Sequence, residues 1–334
     1  MSLGQGAIGA IDRFQQRHAW VGFPFAVVRK YGDDQAGYLA ALIAYYGFFS
    51  VFPLMLVFVS VLGIVLANSP ELQKEIVDSA FAQFPIVGPT IADEVHAITG
   101  NAVALTVGLV TALWAGLGVV QATQNAMNQI WNVPRKDRPN FFISRFRSLL
   151  MLFVLGTTLL ASTFFSGLAT ARSSNGAILV TWEIGISLLL NLVLFLLAYR
   201  VLTRLDLLWR DVLPGATAAA VLWTALQGVG GYYVEHTINR ASNVYGTTLA
   251  LVIGLLVWIY LGGQLTLLCA EINVVRARRL WPRSLASPLT EADQRVMRAG
   301  ALVERRRPEQ QITVTFETEE QPSGAEGPPG RDGA

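Results

Sequence analysis

The sequence is short of charge, cysteine and histidine. Only 14% of its 334 residues are charged, whereas a soluble domain carries about 25%. Cys269 is the single cysteine, which excludes an intrachain disulfide and a thiolate metal cluster. The three histidines are far apart in the sequence, and the chain lacks a Walker loop, a GxGxxG motif after a strand and an HExxH motif. No catalytic residue, metal site or cofactor is therefore predicted, and we do not expect an enzyme.

Apolar residues take the place of the missing charges, at 53% of the chain. A bilayer core needs about 20 predominantly apolar residues per helix. Runs with few or no charges predict six such spans, centred near residues 52, 109, 159, 190, 223 and 257. The runs are continuous, so they favour helices over the alternating strands of a membrane barrel. The predicted fold is all-α: a polytopic integral membrane protein with six transmembrane helices, accompanied by interfacial helices.

Lysine and arginine alternate along the segments that separate the spans. From the N-terminus, these segments hold four, one, five, one, three, one and ten basic residues. The positive-inside rule places the segments richer in these residues in the cytoplasm. Both termini are therefore predicted to be cytoplasmic, and residues 71–94, 172–183 and 235–243 to face outside.

Three parts follow from this arrangement. Residues 1–36 mix basic and aromatic side chains and predict a cytoplasmic interfacial segment, with a solvated leader as the alternative. Residues 37–282 would form the six-helix membrane domain. Residues 283–334 would form a cytoplasmic tail that is largely disordered, because its end is rich in Glu, Pro, Gly and Ser. A short helix is expected in the first part of that tail.

Polar residues and a proline within the spans are candidates for a kink or a cavity. Pro53 cannot donate to the Phe49 carbonyl, so we expect it to bend the first span. Gln121 and Asn125 begin a stripe of amides that either bonds neighbouring helices or lines a polar vestibule for a headgroup. The full set of candidates is Ser50, Pro53, Gln121, Asn125, Asn191 and Gln264.

The fifth span is rich in small residues. Gly215 and Ala219, or Ala216 and Ala220, are four residues apart and share a helix face. Small side chains at this spacing let two helix backbones approach closely. The fifth span is therefore predicted to pack tightly on a neighbour.

Glu271 is a carboxylate at the end of the sixth apolar run. From Tyr245 to Glu271 a helix rises about 39 Å at about 1.5 Å per residue, which exceeds the hydrocarbon thickness of about 30 Å. Glu271 is therefore expected in the inner headgroup zone, and Arg278 lies on the same face two turns later. The two predict an interfacial ion pair. Guidance of a charged headgroup, and a proton relay or catalysis, are the alternatives.

Three stretches resemble a known family: "AALIAYYGFFSVFPLMLVFVSVLG", "LPGATAAAVLW" and "YGTTLALVIGLLVWIYLGGQLTLLCAEIN". They resemble the YihY/virulence factor BrkB family of bacterial inner-membrane proteins, and the resemblance extends over roughly residues 10–285. It implies a multi-pass envelope protein of the cytoplasmic membrane. Members have been linked to serum resistance, and one branch to export of a lipopolysaccharide precursor. The family's old ribonuclease label has no support in these residues.

The expected function is a contribution to cell-envelope integrity, through movement of a lipid or amphiphile across the membrane. The alternatives are a non-transporting scaffold for envelope machinery and a membrane-bound ribonuclease. Membrane lipids are the expected partners, and envelope proteins could bind the C-terminal tail. Nucleic acid is not expected as a partner, and the sequence sets no oligomeric state.

Overall fold

The computed structural model describes residues 3–65, 102–138, 144–146, 148–149, 176–233, 247–285 and 288–316. Within these ranges the regular elements are helices, with one short 3-10 turn at Arg135–Asp137. The helices are α1 (Leu3–Arg17), α2 (Ala19–Asp33), α3 (Ala36–Val65), α4 (Ala102–Ile130), α5 (Gly176–Leu202), α6 (Trp209–Tyr233), α7 (Thr247–Ala277) and α8 (Glu291–Val303). The predicted third span lies outside the described residues, as do the outer segments 71–94 and 235–243.

Three of these helices are long and apolar enough to cross a membrane. They contain the stretches Gly185–Leu202 in α5, Trp209–Gly230 in α6 and Val252–Ala277 in α7, which coincide with the predicted fourth, fifth and sixth spans. A shorter apolar stretch, Ala36–Val51, opens α3 at the predicted first span. The all-α prediction is confirmed for the described residues. Six spans and cytoplasmic termini stay predictions.

The helices pack around α7. Helix α3 lies along α4, α5 lies along α6, and α7 contacts both α3 and α6. Buried apolar side chains fill the space between them, including Met127, Ile130, Val212, Leu267 and Val274. Helix α7 is therefore the central element of the described bundle, and side chains near its end can meet several other helices.

Helix α6 approaches α7 through the predicted face of small residues. A Cβ on Gly215 would overlap the Cys269 carbonyl of α7. The Gly215 N–H donates to Asn273 Oδ1 across the same contact, at 2.6 Å. Three alanines of this face are buried, namely Ala216, Ala219 and Ala220. The predicted close approach of the fifth span is confirmed.

The N-terminal segment forms two helices that meet at His18. Helix α2 packs on α1, α3 and α7. It buries Gly22, Ala26, Val27 and Lys30. The last turn of α2 therefore belongs to the interior of the bundle, and the interfacial position expected for this segment stays a prediction.

The described part of the tail contains the short helix expected there, α8. Thr290 caps it: the hydroxyl accepts from the Asp293 N–H at 3.2 Å, and the Asp293 carboxylate accepts from the Thr290 N–H at 3.0 Å. Beyond α8, the Arg305 carbonyl accepts from the Lys136 N–H at 2.9 Å. The tail thus contacts the segment after α4 as far as it is described. Residues 317–334 lie outside the described residues.

Candidate functional site

Three charged side chains meet where the end of α2 contacts α7. Lys30 and Glu271 are fully buried, and Asp34 is 8% exposed. Lys30 forms an ion pair with Asp34, and its Nζ lies 3.7 Å from a Glu271 carboxylate oxygen. Lys30 also donates to the Ile130 carbonyl at the end of α4, at 3.2 Å. Lys30, Asp34 and Glu271, called the buried triad below, therefore join α2, α4 and α7.

The turn between α2 and α3 places Asp34 in the triad. The Asp34 N–H donates to the Lys30 carbonyl at 3.0 Å, which continues the helical spacing by which Lys30 and Asp34 share a face. Gln35 then adopts a positive φ of 53° and turns the chain into α3. The lysine and its carboxylate are thus held one helical turn apart, immediately before the first apolar run.

The triad has two carboxyl groups for one lysine. Neither oxygen of Glu271 has a hydrogen-bond donor among the described residues, and the buried Tyr31 hydroxyl is also without a partner there. Burial raises the pKa of the Asp34 carboxyl above its ordinary value, although Lys30 acts in the opposite direction. The loss of hydration on burial therefore affects the pKa of Asp34 more than the nearby positive charge of Lys30 does.

The predicted ion pair between Glu271 and Arg278 is not formed. The Arg278 guanidinium donates to the Trp131 carbonyl and lies over the Trp131 ring, 5.9 Å from its centroid. Lys30 takes its place as the cation nearest Glu271. The packing of α2 on α7 covers Glu271 completely, and its position in the inner headgroup zone stays a prediction.

Lys30 is the functional candidate that sequence reasoning missed. Lys30 and Glu271 lie near opposite ends of the predicted membrane domain, so spacing along the chain does not link them. One signal was present: Lys30 and Asp34 stand at the i, i+4 spacing of a helical ion pair, directly before an apolar run. That pattern flags the residues but does not identify Glu271 as their partner.

The amide stripe of α4 binds arginines. Arg138 donates to Asn125 Oδ1 at 2.8 Å and to Gln129 Oε1 at 3.3 Å. Asn128 Oδ1 accepts from the Arg204 N–H after α5, at 3.0 Å. Gln121, one turn earlier than Asn125, is half-buried. These contacts agree with amides that join segments of the protein; the vestibule stays a prediction.

The other candidates hold separate contacts. Ser50 is buried and its hydroxyl donates to the Gly47 carbonyl at 2.8 Å, while α3 runs on through Pro53. Asn191 Nδ2 of α5 lies 3.4 Å from the Thr224 hydroxyl of α6. Gln264 is half-buried on α7. Asn191 thus connects two helices, and Ser50 bonds within its own helix.

A second polar network connects α2 to the segment around α8. Arg283 is only 2% exposed and pairs with Asp33 at 2.8 Å and with Asp293. Burial would raise the pKa of the Asp293 carboxyl, but hydrogen bonds from Arg283, Thr290 and Ser284 hold it well below its ordinary value. Two adjacent aspartates thus belong to different networks. Asp33, the last residue of α2, pairs with Arg283, and Asp34, the C-cap of α2, belongs to the buried triad.

Comparison with known proteins shows which family this helical chain resembles. The family model for virulence factor BrkB matches residues 27–294. The ribonuclease-like protein YfkH of Bacillus subtilis is 25% identical over 262 residues, which are 72% of this chain and 90% of YfkH. A UPF0761 membrane protein of Alkalilimnicola ehrlichii is 27% identical over 76% of this chain and 58% of its own length. No solved structure matches.

A further relative is the UPF0761 membrane protein XAC0937 of Xanthomonas axonopodis pv. citri, 28% identical over 83% of this chain and 66% of its own length. The chain thus spans about three fifths to two thirds of these two UPF0761 proteins. The family match contains the whole buried triad and α3 to α7. With three helices apolar enough to span a bilayer, the chain is a helical membrane protein that belongs to the virulence factor BrkB family.

Proposed function

We propose that this protein is a multi-pass protein of the bacterial inner membrane that supports envelope integrity by moving a lipid or another amphiphile between leaflets. Such a protein needs a surface along which a polar headgroup can pass while the acyl chains stay in lipid. The observation that carries the proposal is a row of exposed tyrosines on α3.

The row begins with Tyr38 and continues with Tyr45 and Tyr46. Tyr38 is 76% exposed and Tyr45 is 56% exposed, and both lie in the apolar stretch Ala36–Val51. They are seven positions apart in the sequence, so they lie on one face about 10 Å apart along the helix. Their hydroxyl groups can exchange hydrogen bonds with a passing headgroup, which an aliphatic face cannot do.

The packing of α3 on α4 holds the last two tyrosines of this row, Tyr45 and Tyr46. A Cβ on Gly118 of α4 would come within 2.7 Å of the Tyr46 ring, so the ring rests directly on that glycine. Tyr45 in turn meets Tyr46 and Phe49 edge to face, with ring centroids 5.4 and 5.1 Å away. Aromatic contacts of this kind orient the rings, and Tyr45 and Tyr46 are therefore held in place beside the contact between α3 and α4.

Reconstitution in liposomes tests the proposal. A fluorescent phospholipid in both leaflets is bleached by dithionite added outside, with and without a proton gradient, and the rate at which inner-leaflet lipid becomes bleached is measured. We expect the protein to accelerate this rate, and Tyr38→Phe combined with Tyr45→Phe to slow it several-fold. Trp114→Phe, at an exposed aromatic of α4, is the control and should leave the rate unchanged.

The alternatives give different results in the same preparation. If the bleaching rate equals that of protein-free liposomes both with and without the proton gradient, lipid movement is contradicted. The non-transporting scaffold would then be the remaining hypothesis. If the protein is a scaffold, envelope proteins could bind where the described tail meets the segment after α4, at the exposed pair of Arg135 and Glu304, which are 3.0 Å apart. Cleavage of added RNA would favour the ribonuclease.

A further inference from the structure

The buried triad contains more negative charge than its own lysine balances. With both carboxyl groups ionised, Lys30, Asp34 and Glu271 together carry one net negative charge. All three are nearly or fully buried. An uncompensated charge inside a packed apolar bundle is strongly unfavourable, so one more positive charge is expected to bind at this place.

Neighbouring groups do not supply that charge by direct bonding. Lys30 is committed to Asp34 and to the Ile130 carbonyl. Arg278 is within electrostatic range of Asp34, but its described hydrogen bond goes to the Trp131 carbonyl. The further titratable groups around the triad are Tyr31 and Asp33 of α2 and Tyr260 of α7. None of these is a cation.

The two carboxyl groups meet at the same ammonium group. Asp34 pairs with Lys30 Nζ, and a Glu271 carboxylate oxygen lies 3.7 Å from that nitrogen, yet neither oxygen of Glu271 has a hydrogen-bond donor among the described residues. An ionised carboxylate only accepts hydrogen bonds, so two of them repel. One proton placed between them converts that repulsion into a hydrogen bond, and a close pair of carboxyl groups then titrates as a unit.

We propose that Asp34 and Glu271 form a proton-binding site, in which the pair holds one proton at neutral pH and Lys30 balances the remaining carboxylate. The bound proton makes the buried triad neutral, so α2 and α7 can close over it. Release of the proton to water restores one net negative charge, which favours separation of α2 from α7 and entry of water. Proton binding is thereby coupled to closure of this contact.

The use of this coupling rests on the proposed function, because opening of the α2–α7 contact would gate amphiphile movement only in a protein that moves amphiphiles. The proton site itself does not depend on it. A proton gradient across the membrane would then bias the opening, since the pair gains or loses one proton per opening. The site and the transport activity can therefore be tested separately.

Infrared spectroscopy of the purified full-length protein in lipid nanodiscs tests the site directly. A protonated carboxyl group has a C=O stretching band that an ionised carboxylate lacks, and this band shifts in D2O. At pH 7 we expect the band in the wild type and its loss in Glu271→Gln and in Asp34→Asn, because each variant leaves one carboxylate for Lys30. Glu304→Gln, at an exposed carboxylate paired with Arg135, is the control and should keep the band.

Three results would overturn the proposal. One is a wild-type protein without the band at pH 7, which can be observed even if no variant is purified. Another is a band that persists in both Glu271→Gln and Asp34→Asn. The third is loss of the band when sodium chloride replaces choline chloride, which would make the pair a metal-cation site. A band without lipid movement in liposomes would leave the proton site intact and refute only the proposed function.

Discussion

Lys30 shows how one residue determines the character of the candidate site. It is fully buried, it contacts residues of two other segments, and it is the cation nearest Glu271. A buried lysine is tolerated only when partners compensate the loss of hydration. Asp34 and the Ile130 carbonyl provide that compensation for Lys30, and Lys30 provides it for them. The ends of α2, α4 and α7 are therefore electrostatically dependent on one side chain.

Replacing this lysine should destabilise the protein strongly. Lys30→Met keeps the length of the side chain but removes the charge, which leaves two buried carboxyl groups without their cation. We expect a loss of about 3 kcal/mol in the free energy of unfolding, in line with broken buried ion pairs. Adding Asp34→Asn should recover a large part of it, because one unpaired carboxyl group is then removed. Thermal unfolding in detergent micelles measures both effects.

Lys136→Met is the matched control for Lys30→Met. Lys136 lies in the segment after α4, more exposed than Lys30, and pairs with Asp137 at 3.8 Å. Surface pairs of this kind contribute little, so its melting temperature should stay near that of the wild type. Equal melting temperatures of Lys30→Met and Lys136→Met would contradict the stabilising role assigned to Lys30.

Asp293 should make the attachment of α8 sensitive to acid. Burial opposes ionisation, but hydrogen bonds from Arg283, Thr290 and Ser284 hold the pKa of Asp293 well below its ordinary value. Stability from such a group is fully present above its unfolded pKa of about 3.9 and is lost progressively as the pH falls from there through the much lower pKa of the folded state. We therefore expect α8 to loosen below about pH 4, and Asp293→Asn to loosen it already at pH 7.

A spin label at Leu302→Cys, in a Cys269→Ala background, reports on this loosening through its mobility in electron paramagnetic resonance spectra. Leu302 is an exposed residue of α8, so the label should not disturb packing. Glu291→Gln, at an exposed acid in the first turn of the same helix, is the control and should behave as the wild type at pH 7. A label in Asp293→Asn that is as immobile at pH 7 as the label in the wild type would refute the prediction.

At the scale of elements, α6 and α7 are held together by glycines that receive large rings. A Cβ on Gly230 would overlap the Trp258 ring, and a Cβ on Gly262 would come within 2.9 Å of the Trp223 ring. The two tryptophan rings are 6.4 Å apart. A tryptophan of each helix thus packs against a glycine of the other helix. The absence of a side chain at these two glycines is what leaves room for the rings.

Gly215→Ala should weaken this helix pair, whereas Gly228→Ala should not. A methyl group at Gly215 meets the Cys269 carbonyl and the Asn273 amide, and backbone atoms cannot move aside cheaply. Overpacking of this type costs about 1 to 3 kcal/mol. Gly228 lies on the same helix with nothing within 4 Å of an added Cβ, so it is the control. Similar melting temperatures for the two variants would show that α6 can shift away from α7.

At the scale of the whole molecule, α1 is joined to the segment that follows α7. Gln15 of α1 donates to the Arg283 carbonyl, and Asp12 accepts from the Leu285 N–H at 2.9 Å. These contacts, together with the Asp33–Arg283 pair, hold α1, α2 and the start of the tail together, and we expect these segments to lie on the same side of the membrane. That expectation agrees with the predicted topology, in which both termini share one compartment.

The compartment itself can be tested by labelling. Single cysteines at Ser79 and Ser287, in a Cys269→Ala background, should differ in their reaction with a membrane-impermeant maleimide in intact cells. The predicted topology places Ser79 outside and Ser287 inside, so only Ser79→Cys should react. Permeabilised cells, in which both should react, provide the control. Labelling of Ser287→Cys alone in intact cells would reverse the orientation.

Part of the fold and little of the site could be predicted from the sequence. Long apolar runs identified α5, α6 and α7, because a bilayer demands them whatever the helices pack against. The small face around Gly215 was predictable, since helix spacing alone places its members together. The Glu271–Arg278 pair was predicted from the same spacing and is not formed, because α2, a helix far away in the sequence, covers Glu271 and places Lys30 beside it.

The sequence by itself therefore determined that this is an apolar, helical membrane protein with the residues of the BrkB family, since composition and local periodicity act through short-range physics. Only the tertiary structure decided which charges meet. Lys30, Asp34 and Glu271 come together because α2 packs on α7 next to the end of α4. Burial then removes water as a competing partner, so the nearest side chain in space and not the nearest in sequence becomes the partner of each charge.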